Sequence, residues 1–123
     1  MGKLIYISGK MGEKKLSEAT VKKFEVARKR LLEDGFVVID PASPIYQKDA
    51  QKHVKIEEKK WRNIEYGKFD WYAWMLMWDM HSIALADAIY MLSDWQDSPG
   101  ATAEYYYAKA CGKEIIFENN EPL

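Results

Sequence analysis

Residues 3–41 read KLIYISGKMGEKKLSEATVKKFEVARKRLLEDGFVVIDP, with an apolar run at each end and a helical pattern between them. The first run, 3–8, ends at a glycine-bearing turn, and the second, 36–39, ends at a proline. Between the runs Ser17 can act as a helix N-cap, apolar residues recur at helical spacing, and Gly35 follows where a helix C-terminus is expected. This order predicts a βαβ unit with parallel strands.

The rest of the chain continues the alternation of strands and helices. The predicted elements are an aromatic helix over 70–85, a strand over 88–92, a helix over 101–111 and a strand over 114–117. The segment 43–68 is dense in lysine and glutamate, and we interpret it as a solvated helix or a mobile excursion. Continuous apolar strands between helices predict an α/β fold, a doubly wound parallel sheet of four to five strands in a flavodoxin-like or Rossmann-like three-layer sandwich. The chain 1–123 is expected to form a single domain.

Composition limits the classes of function. The 123 residues carry 18 Lys and Arg against 19 Asp and Glu, a formal net charge of -1, which argues against binding to a nucleic-acid polymer. The single cysteine, Cys111, rules out an internal disulfide and a cysteine-based zinc site, and we interpret it as a packed core residue. The longest apolar stretch is shorter than the roughly 20 residues of a membrane span. We therefore expect a cytoplasmic protein with no membrane association and no metal or organic cofactor.

The loops that follow the predicted strands are where a ligand would bind, because ligands of such sheets bind beyond the carboxyl ends of the strands. These loops contain Ser8, Gly9, Lys10, Met11 and Gly12 after the first strand, Asp40 after the second, and Ser98 and Gly100 after the third. Glycine amides, a lysine and a helix N-terminus suit an anion such as phosphate. Each loop taken alone is also compatible with a plain turn.

Two acidic residues are candidates for chemistry. Glu104 shares one helix stripe with Ala101 and Ala108, so it is either a positioned carboxylate at the strand ends or a first-turn glutamate that faces solvent. Asp79 lies on the aromatic helix, where it either lines the cleft or occupies an exposed face. Two carboxylates on adjacent elements are the groups that cleavage of a glycosidic bond requires.

The aromatic residues suggest packing surfaces. The tryptophans at positions 61, 71, 74 and 78 are interpreted as core or as a subunit interface, which predicts a homo-oligomer. His53 lies in the charged segment and is expected to be solvated, and no Ser/His/Asp triad order is visible.

Several short motifs, in order, resemble the nucleoside 2-deoxyribosyltransferase-like superfamily, and within it a small bacterial and phage branch. The motifs are Tyr6-Ile7-Ser8-Gly9, Asp40-Pro41-Ala42, Asp79 with Ala86-Asp87-Ala88-Ile89, and Ser98-Pro99-Gly100-Ala101-Thr102-Ala103-Glu104. The resemblance spans nearly the whole chain except 43–68. It departs at Lys10, where the related sequences have proline or serine.

The resemblance implies cleavage of the N-glycosidic bond between a base and deoxyribose. It assigns Glu104 as the nucleophile, Asp79 to binding or protonating the base, and Tyr6 to the region of the sugar or nucleophile. Ser98 occupies the position that is serine in hydrolases of nucleoside 5'-monophosphates and aspartate in transferases of free nucleosides. The expected activity is therefore hydrolysis of a deoxynucleoside 5'-monophosphate. The alternatives are base exchange by a deoxyribosyltransferase and a non-catalytic nucleotide-binding module.

Overall fold

A computed structural model describes residues 2–11, 15–62 and 68–119 of the chain. The elements are β1 (Leu4–Ser8), α1 (Glu18–Glu33), β2 (Val37–Ile39), α2 (Pro44–Trp61), α3 (Trp71–Leu85), β3 (Ala88–Met91), α4 (Pro99–Ala110) and β4 (Glu114–Phe117). A short 3₁₀ turn, Trp95–Asp97, precedes α4.

The four strands form one parallel sheet in the order β2-β1-β3-β4. Side chains alternate across the sheet, so Ile5 and Ile7 face α1 while Tyr6 faces α3 and α4. A helical layer therefore covers each face, and the predicted doubly wound α/β fold is confirmed. Where the structure describes the chain, none of its helices combines the length and the apolar character that crossing a bilayer demands.

The apolar run 36–39 predicts a buried strand. A strand does form there, but the prediction that it is buried is wrong. The strand spans Val37–Ile39, and Val37 is 54% exposed. The cause is the strand order, which places β2 at an edge of the sheet with β1 as its one strand neighbour. The most buried strands are the central pair: β3 is buried throughout, and β1 is buried except at Leu4.

Local signals account for several element ends. The Ser17 hydroxyl oxygen accepts a hydrogen bond from the backbone N–H of Thr20 at 3.2 Å, as an N-cap does. Gly35 and Gly112 follow α1 and α4 with φ of 89° and 71°, the left-handed conformation that favours glycine. The predicted boundaries at Ser17 and Gly35 are confirmed. Cys111, in contrast, is exposed, so its interpretation as a core residue is wrong.

The charged segment forms helix α2 over 18 of its residues, Pro44–Trp61. The hydroxyl oxygen of Ser43 caps the helix, and Ala50 and Val54 are buried on the side that packs against α3. The helix is solvated on its outer face, as predicted. Gln47 and Gln51 of this helix line a cavity of the protein.

Candidate active site

A cavity of about 640 Å³ opens at the carboxyl ends of β1 and β3. Residues from four places in the chain line it: Gly9, Met11 and Leu16 near β1; Gln47 and Gln51 of α2; Trp71, Tyr72, Met75, Leu76 and Asp79 of α3; and Ser98, Gly100, Ala101 and Glu104 at the start of α4. Most of the wall is apolar, and the polar side chains on it are those of Gln47, Gln51, Asp79, Ser98 and Glu104, with the hydroxyl of Tyr72. A pocket of this size and character is suited to a small organic ligand.

Glu104 is buried on the cavity wall, with 3% of its surface exposed. Helix α4 begins at Pro99, two residues earlier than predicted, so Glu104 lies in the second turn rather than the first. The interpretation as a solvent-facing first-turn glutamate is wrong. Its charge is stabilised by two hydroxyl groups: Ser8 Oγ donates to Oε1 at 2.6 Å, and Tyr6 OH donates to Oε2 at 3.0 Å.

The two hydroxyl donors come from one strand. Tyr6 and Ser8 are two residues apart in β1, and side chains at this spacing lie on the same face of a strand. Both residues are buried, so bulk water does not compete for the hydrogen bonds that their hydroxyl groups donate. The strand thus presents one donor to each oxygen of the carboxylate and fixes its orientation.

Asp79 is also buried, with 7% exposure, so the exposed-face interpretation is wrong for this residue. Its Oδ1 accepts a hydrogen bond from the hydroxyl of Tyr46 at 2.8 Å. The Tyr46 oxygen lies 2.8 Å from Ser82 Oγ as well. Asp79 lines the same cavity as Glu104.

The two carboxyl groups are near enough to affect each other directly. Burial raises the pKa of both Asp79 and Glu104 well above their ordinary values, and repulsion from Asp79 raises the pKa of Glu104 further. The hydroxyl donors oppose this shift by stabilising the charged forms. Two carboxyls in contact titrate as a pair, which here holds one proton in the neutral range.

The raised pKa values predict that the folded protein loses stability as pH rises from about 5 to about 8. The pair has pKa values of about 7 and about 8 in the folded chain, against 3.8 and 4.5 as ordinary values. The folded state then binds more protons than the unfolded state in this interval, so stability decreases with pH, by several kcal/mol in total. Urea denaturation at pH 5, 6.5 and 8 measures the slope.

The double variant Asp79→Asn, Glu104→Gln serves as the control for that slope. It removes both titrating groups and keeps their shapes, so its stability should change much less over the same interval. Equal slopes for the double variant and the wild type would contradict the assignment.

The loop after β1 brings Gly9 and Met11 to the cavity, while Gly12 lies outside the described residues. A Cβ atom at Gly9 would lie 2.6 Å from Cδ1 of Leu92, so only glycine allows this close approach. Lys10 is exposed and is not among the lining residues. Its backbone N–H donates to Asp94 Oδ1 at 3.1 Å, which ties the loop after β1 to the loop after β3.

Ser98 and Gly100 line the cavity as expected, but Asp40 does not. Ser98 is the N-cap of α4, and its hydroxyl oxygen accepts from the backbone N–H of Ala101 at 3.1 Å. Asp40 is buried in the turn after β2, where its Oδ1 accepts from the backbone N–H of Ala42 at 3.0 Å. The turn geometry thus accounts for Asp40 without a ligand.

Sequence reasoning missed the contribution of α2. Tyr46, Gln47 and Gln51 approach the site from the segment interpreted as a charged excursion. The signal that could have found them is Ser43-Pro44 just after the predicted strand end, since a capping serine followed by proline is a helix start. A helix that begins there places its first turn beside the other strand ends.

Trp74 and Trp78 lie beside α2 residues such as His53, whereas Trp71 lines the cavity. Trp61 is 45% exposed, and Trp78 stacks between His53 and His81 with ring centroids 4.2 and 4.9 Å away. His53 is therefore half-buried against a ring rather than simply solvated. The homo-oligomer stays a prediction, which sedimentation of the full chain tests.

The protein has a parallel α/β sheet with an apolar cavity at its strand ends, which places it in the class of α/β proteins that bind small molecules. The two buried carboxyl groups in that cavity are suited to acid–base or nucleophilic chemistry. Within the described residues, no group of three or more His, Cys, Asp or Glu side chains is arranged to hold a metal ion.

The chain belongs to the family described as "Domain of unknown function (DUF4406)", whose model matches residues 3–117. No curated protein matches the sequence. Among solved structures, the fold is similar to a 2-deoxyribosyltransferase from the psychrotolerant bacterium Bacillus psychrosaccharolyticus, with a TM-score of 0.57, 19% identity, and coverage of 98% of this chain and 76% of that chain. This likeness shows the fold that the resemblance to the nucleoside 2-deoxyribosyltransferase-like superfamily predicted.

Proposed function

We propose that this protein hydrolyses the N-glycosidic bond of a deoxynucleoside 5'-monophosphate, with Glu104 as the nucleophile. The observation that carries the proposal is the pair of buried carboxyl groups, Glu104 and Asp79, on one wall of the cavity. A pair with one shared proton supplies both a nucleophile and an acid at neutral pH.

In the proposed reaction, the Glu104 carboxylate attacks the anomeric carbon of the sugar as the bond from that carbon to the base nitrogen breaks. The bonding electrons leave with the base, and Asp79 gives its proton to the base. Water then attacks the anomeric carbon of the glycosyl-enzyme, releases Glu104 and returns a proton to Asp79. The Tyr6 and Ser8 hydroxyls hold the Glu104 carboxylate in position for the attack.

The remaining walls support a nucleobase as the leaving group. Trp71, Met75 and Leu76 of α3 supply an apolar surface, and α2 supplies the amides of Gln47 and Gln51. The Gln47 amide N–H donates to the carbonyl of Pro41 at 2.6 Å, so its orientation is held and its side-chain oxygen remains as an acceptor. An apolar wall with a few fixed polar groups is the usual design for an aromatic heterocycle.

The N-terminus of α4 supports a phosphate group on the substrate. Ser98 and Gly100 line the cavity opposite Gly9 and Met11 of the loop after β1. Backbone N–H groups and the helix dipole stabilise an anion at such an end. Because the Lys10 N–H is already bonded to Asp94, the phosphate contacts are assigned to Ser98 and the other loop amides.

The direct test incubates the full chain with the four common deoxynucleoside 5'-monophosphates and with the matching nucleosides, and follows release of free base. Release from the monophosphates without any added base supports the proposal. Release that requires an added acceptor base identifies a deoxyribosyltransferase instead. Thermal stabilisation by a nucleotide with no turnover identifies a non-catalytic binding module.

Replacing Ser98 by aspartate is expected to lower kcat/KM for monophosphates by roughly 10- to 100-fold, equivalent to about 1–3 kcal/mol, because a carboxylate repels the phosphate and removes a hydroxyl donor. Activity on the matching nucleosides should fall much less. Ser17→Asp is the matched control, since Ser17 is also an N-cap but lies on α1. Equal losses on the two substrate types would contradict a phosphate contact at Ser98.

A further inference from the structure

The hydroxyl of Tyr46 lies between two polar groups of α3. It donates to Oδ1 of Asp79 at 2.8 Å, and its oxygen is 2.8 Å from Ser82 Oγ. Tyr46 is not among the residues that line the cavity, although its neighbour Gln47 is. Tyr46 therefore holds Asp79 without forming part of the cavity wall.

The arrangement determines which oxygen of Asp79 can carry a proton. A phenol has a single hydroxyl hydrogen, and here it points at Oδ1. While Tyr46 donates, Oδ1 is an acceptor, so the proton on a neutral Asp79 resides on Oδ2. Because that hydrogen is used on Oδ1, Ser82 is left as the donor in its 2.8 Å contact with the Tyr46 oxygen, in preference to its longer 3.4 Å contact with the carbonyl oxygen of Trp78. This donation strengthens Tyr46 as a donor.

Glu104 is held by different donors. Both of its oxygens accept a hydroxyl hydrogen bond, from Ser8 and from Tyr6, whereas Tyr46 donates to one oxygen of Asp79. The two carboxyl groups also share a hydrogen bond, which lowers the pKa of Asp79 and raises the pKa of Glu104. For Glu104 to act as the nucleophile, Asp79 must therefore carry the shared proton, and Oδ2 is the oxygen available for it.

We propose that Tyr46, supported by Ser82, is a positioning residue that fixes Oδ1 of Asp79 as an acceptor, so that a proton carried by Asp79 lies on Oδ2, from which it can pass to the leaving base. This inference rests on the proposed function for its catalytic meaning. It assigns a role to a residue of α2, the segment that the sequence motifs leave out.

The electrostatics around Asp79 agree with this role. The titratable groups that act on it are Glu104, Tyr6, Tyr46 and Tyr72, and each tyrosine has a pKa raised by burial and by the carboxyl charges. Tyr46 thus stays protonated and remains a donor at neutral pH. Its hydrogen bond lowers the pKa of Asp79, against the larger upward effect of burial.

The test compares Tyr46→Phe with wild type in the full chain. Loss of the hydroxyl removes a donor to the ionised form of Asp79, so the last proton of the pair should leave at higher pH. The alkaline limb of the kcat/KM profile is expected to move up by about one pH unit. We expect kcat to fall about tenfold or more with KM within about twofold, because the acid is misplaced while the cavity wall is intact.

Tyr106→Phe is the matched control, because it removes the same atom from an exposed tyrosine on α4, and its pH profile should equal that of wild type. If Tyr46→Phe fails to fold, the same pH profile is measured for Ser82→Ala instead. It leaves the Tyr46 hydroxyl in place but weakens it as a donor, so a smaller upward shift is expected. A profile unchanged in the variant that folds would overturn the inference.

A second readout does not depend on activity. Carbon-13 labelling of aspartate carboxyls allows the titration of Asp79 to be followed by NMR, with Asp79→Asn identifying the signal. An upward shift in Tyr46→Phe supports the positioning role even if no substrate is turned over, in which case only the proposed function fails. An unshifted titration overturns the role even if the enzyme is active.

Discussion

Glu104→Gln is expected to lower kcat for N-glycosidic cleavage by about 10⁴-fold or more, because the amide is no nucleophile and no glycosyl-enzyme can form. The substitution keeps the shape of the side chain, and the amide oxygen can still accept from Ser8 or Tyr6. Release of free base from the best monophosphate substrate measures the effect. Rapid quenching of the wild type during turnover should also reveal a chain heavier by one glycosyl unit, which the variant lacks.

The matched control for this experiment is Glu33→Gln, an exposed residue at the end of α1, which should retain full activity. The lost activity of Glu104→Gln is not expected to reflect unfolding. The change removes a buried group that is costly to ionise, so the variant should be at least as stable as wild type at pH 8. A folded variant that keeps a tenth of the wild-type rate would refute the nucleophile assignment.

Asp79→Asn is expected to lower kcat by about 10²- to 10⁴-fold on natural bases, the usual contribution of a positioned general acid. The amide cannot supply a proton to the departing base nitrogen. A substrate whose leaving group departs as a stable anion needs no such proton and should lose much less. Comparing the two leaving groups in wild type and variant separates acid catalysis from general disruption of the site.

The pH profile provides a further check on Asp79. Without the Asp79 proton, the alkaline limb of the profile on natural substrates should disappear, because that limb reports the loss of this proton. Asp49→Asn, an exposed acid on α2, is the control and should leave the profile unchanged. Equal losses of rate on both leaving groups would show that Asp79 does not act as the acid.

Much of the fold follows from short-range features of the chain. The run 4–8 is apolar and β-rich, Ser17 caps a helix, and Gly35 ends it, so the first βαβ unit could be placed within a few residues. Connections between parallel strands require a crossover, usually a helix, which leaves few topologies. The place of the site also follows, because ligands of such sheets bind beyond the strand ends.

Exposure was harder to predict than secondary structure. Asp79 fits an exposed helix face by composition, yet it is buried against other elements, and Val37 fits a core strand, yet it lies at an edge. In both cases the periodicity of the sequence defines an element but not its neighbours. Neighbours depend on the order of strands and on which helix covers them.

The sequence by itself determined the alternation of strands and helices, the cap at Ser17, the helix end at Gly35, and the two acids as candidates, since these depend on residues close together in the chain. Only the tertiary structure decided that Asp79 and Glu104 meet, that Tyr6 and Ser8 hold one of them, and that Tyr46 holds the other across 33 positions. Such contacts depend on the packing of whole elements. The raised pKa values follow from them, because burial and a like charge nearby arise only when distant segments come together.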